Sequence, residues 1–253
     1  MYKYAVKTGS GVCLTNDDYA MVDQKIIYCA SVSGVSEKAI LATICDGVGG
    51  RKCGDVAARI SSEVFASLST DDLTVADIEK AVQNANLSVI AGQEADELHS
   101  KMATTLAGVY LTGRDVITFN VGDSKIFRLR NSYLTQLSVD HTFAQESIGL
   151  GLVRSRDEID EKDLHKITRW VGDKRRCIPA IHYGENRVLD KDVFIICSDG
   201  LSDVVSAEEI EDVLPACGEL SLSCEKLYDL AMKKGSADNI SVVILEAITD
   251  DEN

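Results

Sequence analysis

A formal charge of −15 on a chain of 253 residues disfavours nucleic acid and anionic membrane as main partners, because a phosphate backbone needs a basic face. With 45% apolar residues, two prolines and no low-complexity run it has material for a core and no linker at which to divide, so one domain over residues 1–253 is expected. No apolar run approaches the roughly 18 residues of a membrane span, and "MYKYAVKTGSG" lacks the order of a secretory signal, so the expected location is cytoplasmic.

Runs rich in Val, Ile, Thr, Tyr or Phe predict strands over 2–8, 25–33, 39–45, 104–111, 116–121, 125–130, 192–197 and 240–247. Apolar residues at helical spacing predict helices over 55–68 and 75–98. In the second, Ile78, Val82, Leu87, Ile90 and Ala91 are assigned to one stripe, and Thr74 with Asp77 reads as a capping box. Two successive helices followed by a meander of strands favour antiparallel sheet covered by helices over a doubly wound sheet. The eight cysteines (13, 29, 45, 53, 177, 197, 217 and 224) form no Cys-x-x-Cys pair, and all are expected to be reduced, with neither a zinc site nor a disulfide framework.

Several predicted strands meet an aspartate at one end. Asp46 follows "ILATIC", Asp123 follows "VITFNVG", Asp199 follows "VFIICS", and Asp238 precedes "NISVVILE". "TNDDY" adds Asn16, Asp17 and Asp18 before another strand. One such Asp is an ordinary turn residue; five sites are a pattern. Carboxylates converging on one end of a sheet repel each other, and an all-oxygen set without His or Cys points to Mg²⁺ or Mn²⁺ as the compensating ion. In "DGVGG" the glycines would then let the chain turn and let the Gly47 carbonyl approach a metal, with Asp46 bridging.

Other readings of that stretch fail on residues. A dinucleotide fingerprint needs a third glycine where Lys52 stands, a Walker loop never occurs, Val48 occupies the second acid position of D-x-D, and no G-x-S-x-G elbow is found.

The motifs "TNDDY", "CDGVGGRKCGDVAA", "MATTLAG", "FNVGDSKIFRLR", "LSVDHT", "IICSDGLSDVVS" and "ADNISVVIL", in this order, resemble the metal-dependent Ser/Thr protein phosphatases of type 2C in their compact bacterial form. The resemblance implies an α+β fold, a central β-sandwich of two antiparallel sheets flanked by helices on both sides. It implies two Mn²⁺ or Mg²⁺ ions in a cleft at one end. By motif position, Asp46 resembles the carboxylate bridging both ions, Gly47 supplies a carbonyl, and Asp199 and Asp238 match the remaining ligands. Asp17 and Asp18 match the acidic pair holding metal-bound water, and Asp123 with Asp199 matches a third, weaker site. Asp46, Asp18 and Asp199 are the residues expected to carry catalysis; Asn239 and Asp140 match structural positions. Two divalent ions lower the pKa of water enough to give a nucleophile near neutral pH, which would attack phosphorus in line with the seryl or threonyl oxygen. Expected partners are phosphorylated proteins and, by analogy, a Ser/Thr kinase and its targets, for a monomeric enzyme.

Two positions depart from the family. Cys13 stands where a phosphate-binding Arg is usual, and Val48 where many eukaryotic members carry a His. Basic candidates to replace the Arg are Arg51 and Lys52 beyond the glycines, and Lys174, Arg175 and Arg176 in "DKRRC". No catalytic role is assigned to any of the four histidines, and Trp170 reads as core. The alternative reading is a weak or inactive module that binds phosphoproteins, supported by the missing Arg alone.

Overall fold

The apolar run Ala39–Cys45 becomes a strand buried along its whole length, which is why it shows no alternation of polar and apolar residues. The computed structural model describes residues 1–48, 53–113, 115–175, 177–184 and 187–249. In chain order the strands are β1 (Tyr2–Gly9), β2 (Tyr19–Val22), β3 (Lys25–Ile27), β4 (Ser31–Ser36), β5 (Ala39–Cys45), β6 (Leu106–Thr112), β7 (Asp115–Val121), β8 (Lys125–Arg130), β9 (Tyr133–Gln136), β10 (Ala180–Tyr183), β11 (Val193–Cys197) and β12 (Ile240–Ala247). The helices are α1 (Gly54–Ala66), α2 (Val75–Ala95), α3 (Phe143–Gly149), α4 (Glu161–Leu164), α5 (Asp199–Ser202), α6 (Ala207–Cys217) and α7 (Leu220–Lys233).

The strands form two six-stranded sheets, ordered β4-β1-β12-β11-β8-β9 and β10-β7-β6-β5-β2-β3, and their pairings are antiparallel. Ile40, Ala42 and Ile44 of β5 pack with Val6, Ile196, Val243 and Leu245 of the other sheet to make the core between the sheets. The alternate residues Leu41 and Cys45 join Ala57, Ala58 and Phe65 of α1 and Val82 and Val89 of α2. On the far side, Val242 and Ile244 of β12 join Ile210, Leu214, Leu227 and Ala231 of α6 and α7. The result is the expected four layers, helices outside two sheets. Each fully buried Leu, Ile, Val or Phe contributes about 1.5–3 kcal/mol, and Val243 and Ile244 deliver that to two different cores from adjacent positions.

The predicted strand over 25–33 divides in two. Cys29 adopts φ 47°, the chain turns, and β3 pairs with β2 in one sheet while β4 pairs with β1 in the other. The stripe assigned to α2 is also corrected. Leu87 lies nine residues, two and a half turns, beyond Ile78 and therefore on the opposite face; it is 62% exposed. The buried face is Ile78, Ala81, Val82, Ala85 and Val89. The capping box is present, with Thr74 accepting from the Asp77 N–H and Asp77 accepting from the Thr74 N–H. Sequence periodicity assigned nothing to α6 and α7, although Ser206 and Glu209 form a second capping box and Gly218, at φ 69°, ends α6 in the left-handed region. β2, β9 and β10, at four residues each, are too short for an alternation to register. Among the described residues, no helix is long and apolar enough to cross a membrane.

The α1–sheet contact rests on Phe65, fully buried and stacked on Phe119 with ring centroids 5.4 Å apart. Replacing Phe65 by Ala should lower unfolding free energy by about 3–5 kcal/mol, measured by urea denaturation, with the m-value unchanged.

Candidate metal centre

Antiparallel pairing brings the aspartates together. β5 and β7 each run antiparallel to β6, so their C-terminal ends lie side by side, and these ends carry Asp46 and Asp123. In the other sheet the C-terminal end of β11 lies beside the N-terminal end of β12, which places Asp199 next to Asp238. All four line one cleft of about 410 Å³. β2 begins at the same end, its Tyr19 opposite Cys45, so Asp17 and Asp18 arrive beneath the others.

The main chain of Asp46 is fixed by the threonines of "MATTLAG". Its N–H donates to Thr105 Oγ1 at 3.3 Å, and its carbonyl accepts from the Thr105 N–H and Thr104 Oγ1, both at 2.8 Å. The Gly47 N–H donates to the Asp17 carbonyl at 3.2 Å. A Cβ on Gly47 would sit 2.5 Å from the Gly54 carbonyl carbon and 2.8 Å from the Asp17 oxygen. The first glycine of "DGVGG" is therefore required by backbone packing against the start of α1. Gly200, after Asp199, is equally constrained, since a Cβ there would lie 2.0 Å from the Asn239 carbonyl oxygen. Asn239 has the structural part expected of it: its Nδ2 donates to the carbonyls of Ser10 and Thr15, and its Oδ1 accepts from the Asp17 N–H at 2.7 Å. Asp140 is likewise tied down, by Lys125 at 3.0 Å and by Gln136.

The electrostatics ask for a cation. Burial, and then the charges of Asp199, Asp18, Asp123 and Asp238, push the Asp46 carboxyl well above the usual range. Asp199 is pushed up by burial and then by Asp123 and Asp238. Asp18, 1% exposed, rises to about 7 through burial, with the Ser241 and Ser198 hydroxyls opposing. Asp123 rises to about 6, again by burial first, with its own N–H and Lys125 opposing. Burial and Asp55 raise Asp17. Asp18 Oδ2 and Asp199 Oδ1 are buried with no hydrogen-bond partner. Buried, mutually repelling carboxylates with unused lone pairs fit a hard divalent ion, which would keep them ionised. Among the described residues no three His, Cys, Asp or Glu side chains close on a single point.

The basic candidates fall elsewhere. Lys174 pairs with Glu94 at 3.0 Å, and Arg175 lines a separate hollow with Glu146 and Arg169; neither lines the carboxylate cleft. Arg51, Lys52 and Arg176 lie outside the described residues. Cys13 sits near the site, its thiol donating to the Ala237 carbonyl at 3.4 Å, where burial and Asp238 raise its pKa. His141 is a satisfied structural group: its Nδ1 accepts from the Gly122 N–H at 3.1 Å, and burial and then Arg169 pull its pKa down to about 4. Trp170, expected in the core, is half-buried on the cleft wall with Val48, His165, Lys166 and Ile167. No spacing in "HKITRW" signals that wall; it is made by a bridge from Val171 to Thr104.

A family model for protein phosphatase 2C matches residues 28–233. The chain is 29% identical over 232 residues to the serine/threonine protein phosphatase PstP of Mycobacterium tuberculosis, covering 90% of this chain but 44% of that protein; it thus spans less than half the length of that relative. It is 28% identical over 210 residues to the serine/threonine phosphatase stp of Listeria welshimeri, covering 80% of this chain and 82% of the relative. The crystal structure of the catalytic domain of PstP in complex with two manganese ions matches with TM-score 0.79 and 28% identity, over 98% of this chain and 99% of that one. On the residues matched and the fold shared, the chain belongs to the protein phosphatase 2C family.

Proposed function

We propose that this chain is a metal-dependent phosphatase that hydrolyses phosphoserine and phosphothreonine on proteins, with Mn²⁺ or Mg²⁺ as its cofactor. The observation that carries the reading is the meeting of Asp46, Asp123, Asp199 and Asp238, from both sheets, in one cleft. Bound divalent ions would supply the Lewis acidity that makes water a nucleophile near pH 7 and offsets charge on the phosphoryl oxygens.

The chain's own residues account for the rest. Asp46, Asp199, Asp238 and the Gly47 carbonyl are the direct donors in this reading, with Asp123 and Asp199 facing each other closely enough to repel. Asp17 and Asp18 complete the acidic end, the Ser241 and Ser198 hydroxyls opposing the effect of burial on Asp18. Val48 and Ile167 line the opening as apolar groups, limiting water beside the carboxylates. The intact set of aspartates supports an active enzyme over an inactive binding module, since unpaired clustered carboxylates destabilise a fold that holds no ion.

The reading extends to a single catalytic domain over residues 1–253, acting as a monomer on the products of a Ser/Thr kinase. A cytoplasmic place is supported by cysteine usage, with seven described free thiols of which four are buried; such thiols suit a reducing compartment.

Phosphate release from a phosphothreonine peptide should require Mn²⁺ or Mg²⁺ and stop with EDTA. Asp46→Asn should reduce kcat by at least about 10³-fold, while raising the melting temperature of the metal-free chain by about 2 °C or more, because it deletes a repelled charge. A wild-type chain inactive with every metal would overturn the assignment.

The pH response has a definite sign. A carboxylate raised in the folded state stabilises below its unfolded pKa and loses that contribution as pH climbs through the folded value, here about 6 for Asp123 and about 7 for Asp18. In metal-free protein, wild type should therefore weaken relative to Asp123→Asn between about pH 4 and about pH 7. The stabilisation by Mn²⁺, read in thermal melts, should shrink over the same interval on acidification, as protons displace the ion.

A further inference from the structure

The two walls of the cleft differ in charge. One carries Asp46, Asp123, Asp199 and Asp238, in a chain of net charge −15. A phosphate monoester arriving there itself carries a charge of about −1.5 to −2. Cations held by Asp46, Asp123, Asp199 and Asp238 would offset charge on the oxygens nearest them, and the oxygens turned to the other wall would be left needing a positive partner.

That wall is a strap of chain fixed to the main chain at both ends. Gly47, next to Asp46, bridges to Thr104, and Thr104 bridges in turn to Val171. The Thr104 N–H donates to Val171 at 3.2 Å and the Val171 N–H returns to Thr104 at 2.8 Å. At the other end the Phe143 N–H donates to the Lys166 carbonyl at 2.8 Å, and Ile167 bridges to Thr142. The strap therefore has a set position relative to Asp46.

Its charged side chains divide. Arg169 turns to Glu146, Nε to Oε1 3.5 Å, where Thr168 also donates at 2.9 Å. His165 Nδ1 engages Asp203 at 3.2 Å, so that carboxylate is taken. Nearby, Lys162 pairs with Asp160 at 3.2 Å. Lys166 lines the cleft, is exposed, and among the described residues has no carboxylate in ion-pair range. Ile167 and Trp170 flank it on the same wall, a setting in which an ammonium–phosphate contact is less screened than in open water.

From this placement we infer that Lys166 is a substrate-binding cation of the cleft, its ammonium group donating to the phosphoryl oxygens that face away from the carboxylate wall. The inference rests on the phosphatase reading of the same site. It assigns Lys166 to binding of the phosphate group, common to every phosphoester substrate, and leaves bond cleavage to the opposite wall.

Binding of inorganic phosphate to the Mn²⁺-loaded full chain, by calorimetry, is the deciding experiment, with steady-state kinetics on a phosphothreonine peptide beside it. Lys166→Ala should weaken phosphate binding about tenfold and raise KM by a similar factor, with kcat within about twofold of wild type. Lys166→Arg, which keeps the charge, should stay within about threefold of wild type in both. Unchanged phosphate affinity in Lys166→Ala, or a fall in kcat at constant affinity and KM, would overturn the inference; so would a wild-type chain that binds no phosphate. A wild-type chain that binds phosphate yet hydrolyses no phosphoester would instead overturn the phosphatase reading, while the affinity ratio still decides the role of Lys166.

Discussion

Mutual repulsion among buried carboxylates is the constraint around which this molecule is organised. Asp18, Asp46, Asp123 and Asp199 each have a carboxyl pushed up first by burial, with the charges of Asp199, Asp18 and Asp123 adding to it at Asp46, those of Asp123 and Asp238 at Asp199, that of Asp238 at Asp18, and those of Asp203 and Asp140 at Asp123. Left to itself such a cluster would spread or protonate. It persists because the elements beneath it cannot relax: Asp46 is held through Thr104 and Thr105, Asp17 through Asn239, and Asn239 through the loop at Ser10 and Thr15. The strain sits at the end of a sandwich whose three apolar layers are fully buried, so the core offsets what the site costs.

The glycines belong to the same constraint. Gly47 against Gly54, and Gly200 against Asn239, are places where two backbones meet with no room for a Cβ. Each follows an aspartate of the cluster by one residue. Close backbone contact there removes the freedom by which a carboxylate could swing out to solvent, so the glycines stiffen the site even though glycine is the most flexible residue in an unfolded chain.

The cleft is asymmetric in origin as well as in charge. Its carboxylate wall comes from strand ends, whose positions follow from sheet pairing. Its other wall, Lys166 to Trp170, comes from a segment without regular structure that is tied in by single bridges at Thr104 and Thr142. The carboxylates thus sit on rigid strand ends, and the wall that faces them sits on an irregular connection outside the core.

Much of this was legible in the sequence. β5, β8 and β12 have the predicted bounds, because an apolar run closed by Asp, Gly or a charge leaves little choice. The five aspartate sites were legible as a set, since each ends or begins such a run. Errors arose where local pattern and tertiary context part. The strand over 25–33 hid a turn because Cys29 takes a left-handed conformation that its type does not announce, and Leu87 was placed on the buried face of α2 although its helical phase opposes Ile78. What the sequence by itself determined was which residues would be strand, which ends would carry carboxylates, and hence which ion would suit them, because these follow from short-range propensity and from charge. What only the tertiary structure decided was the company those residues keep: that Trp170 and Lys166 face Asp46 while Lys174 turns to Glu94. Such contacts join positions 80 or more residues apart, and no periodicity in a single chain encodes a pairing across that distance.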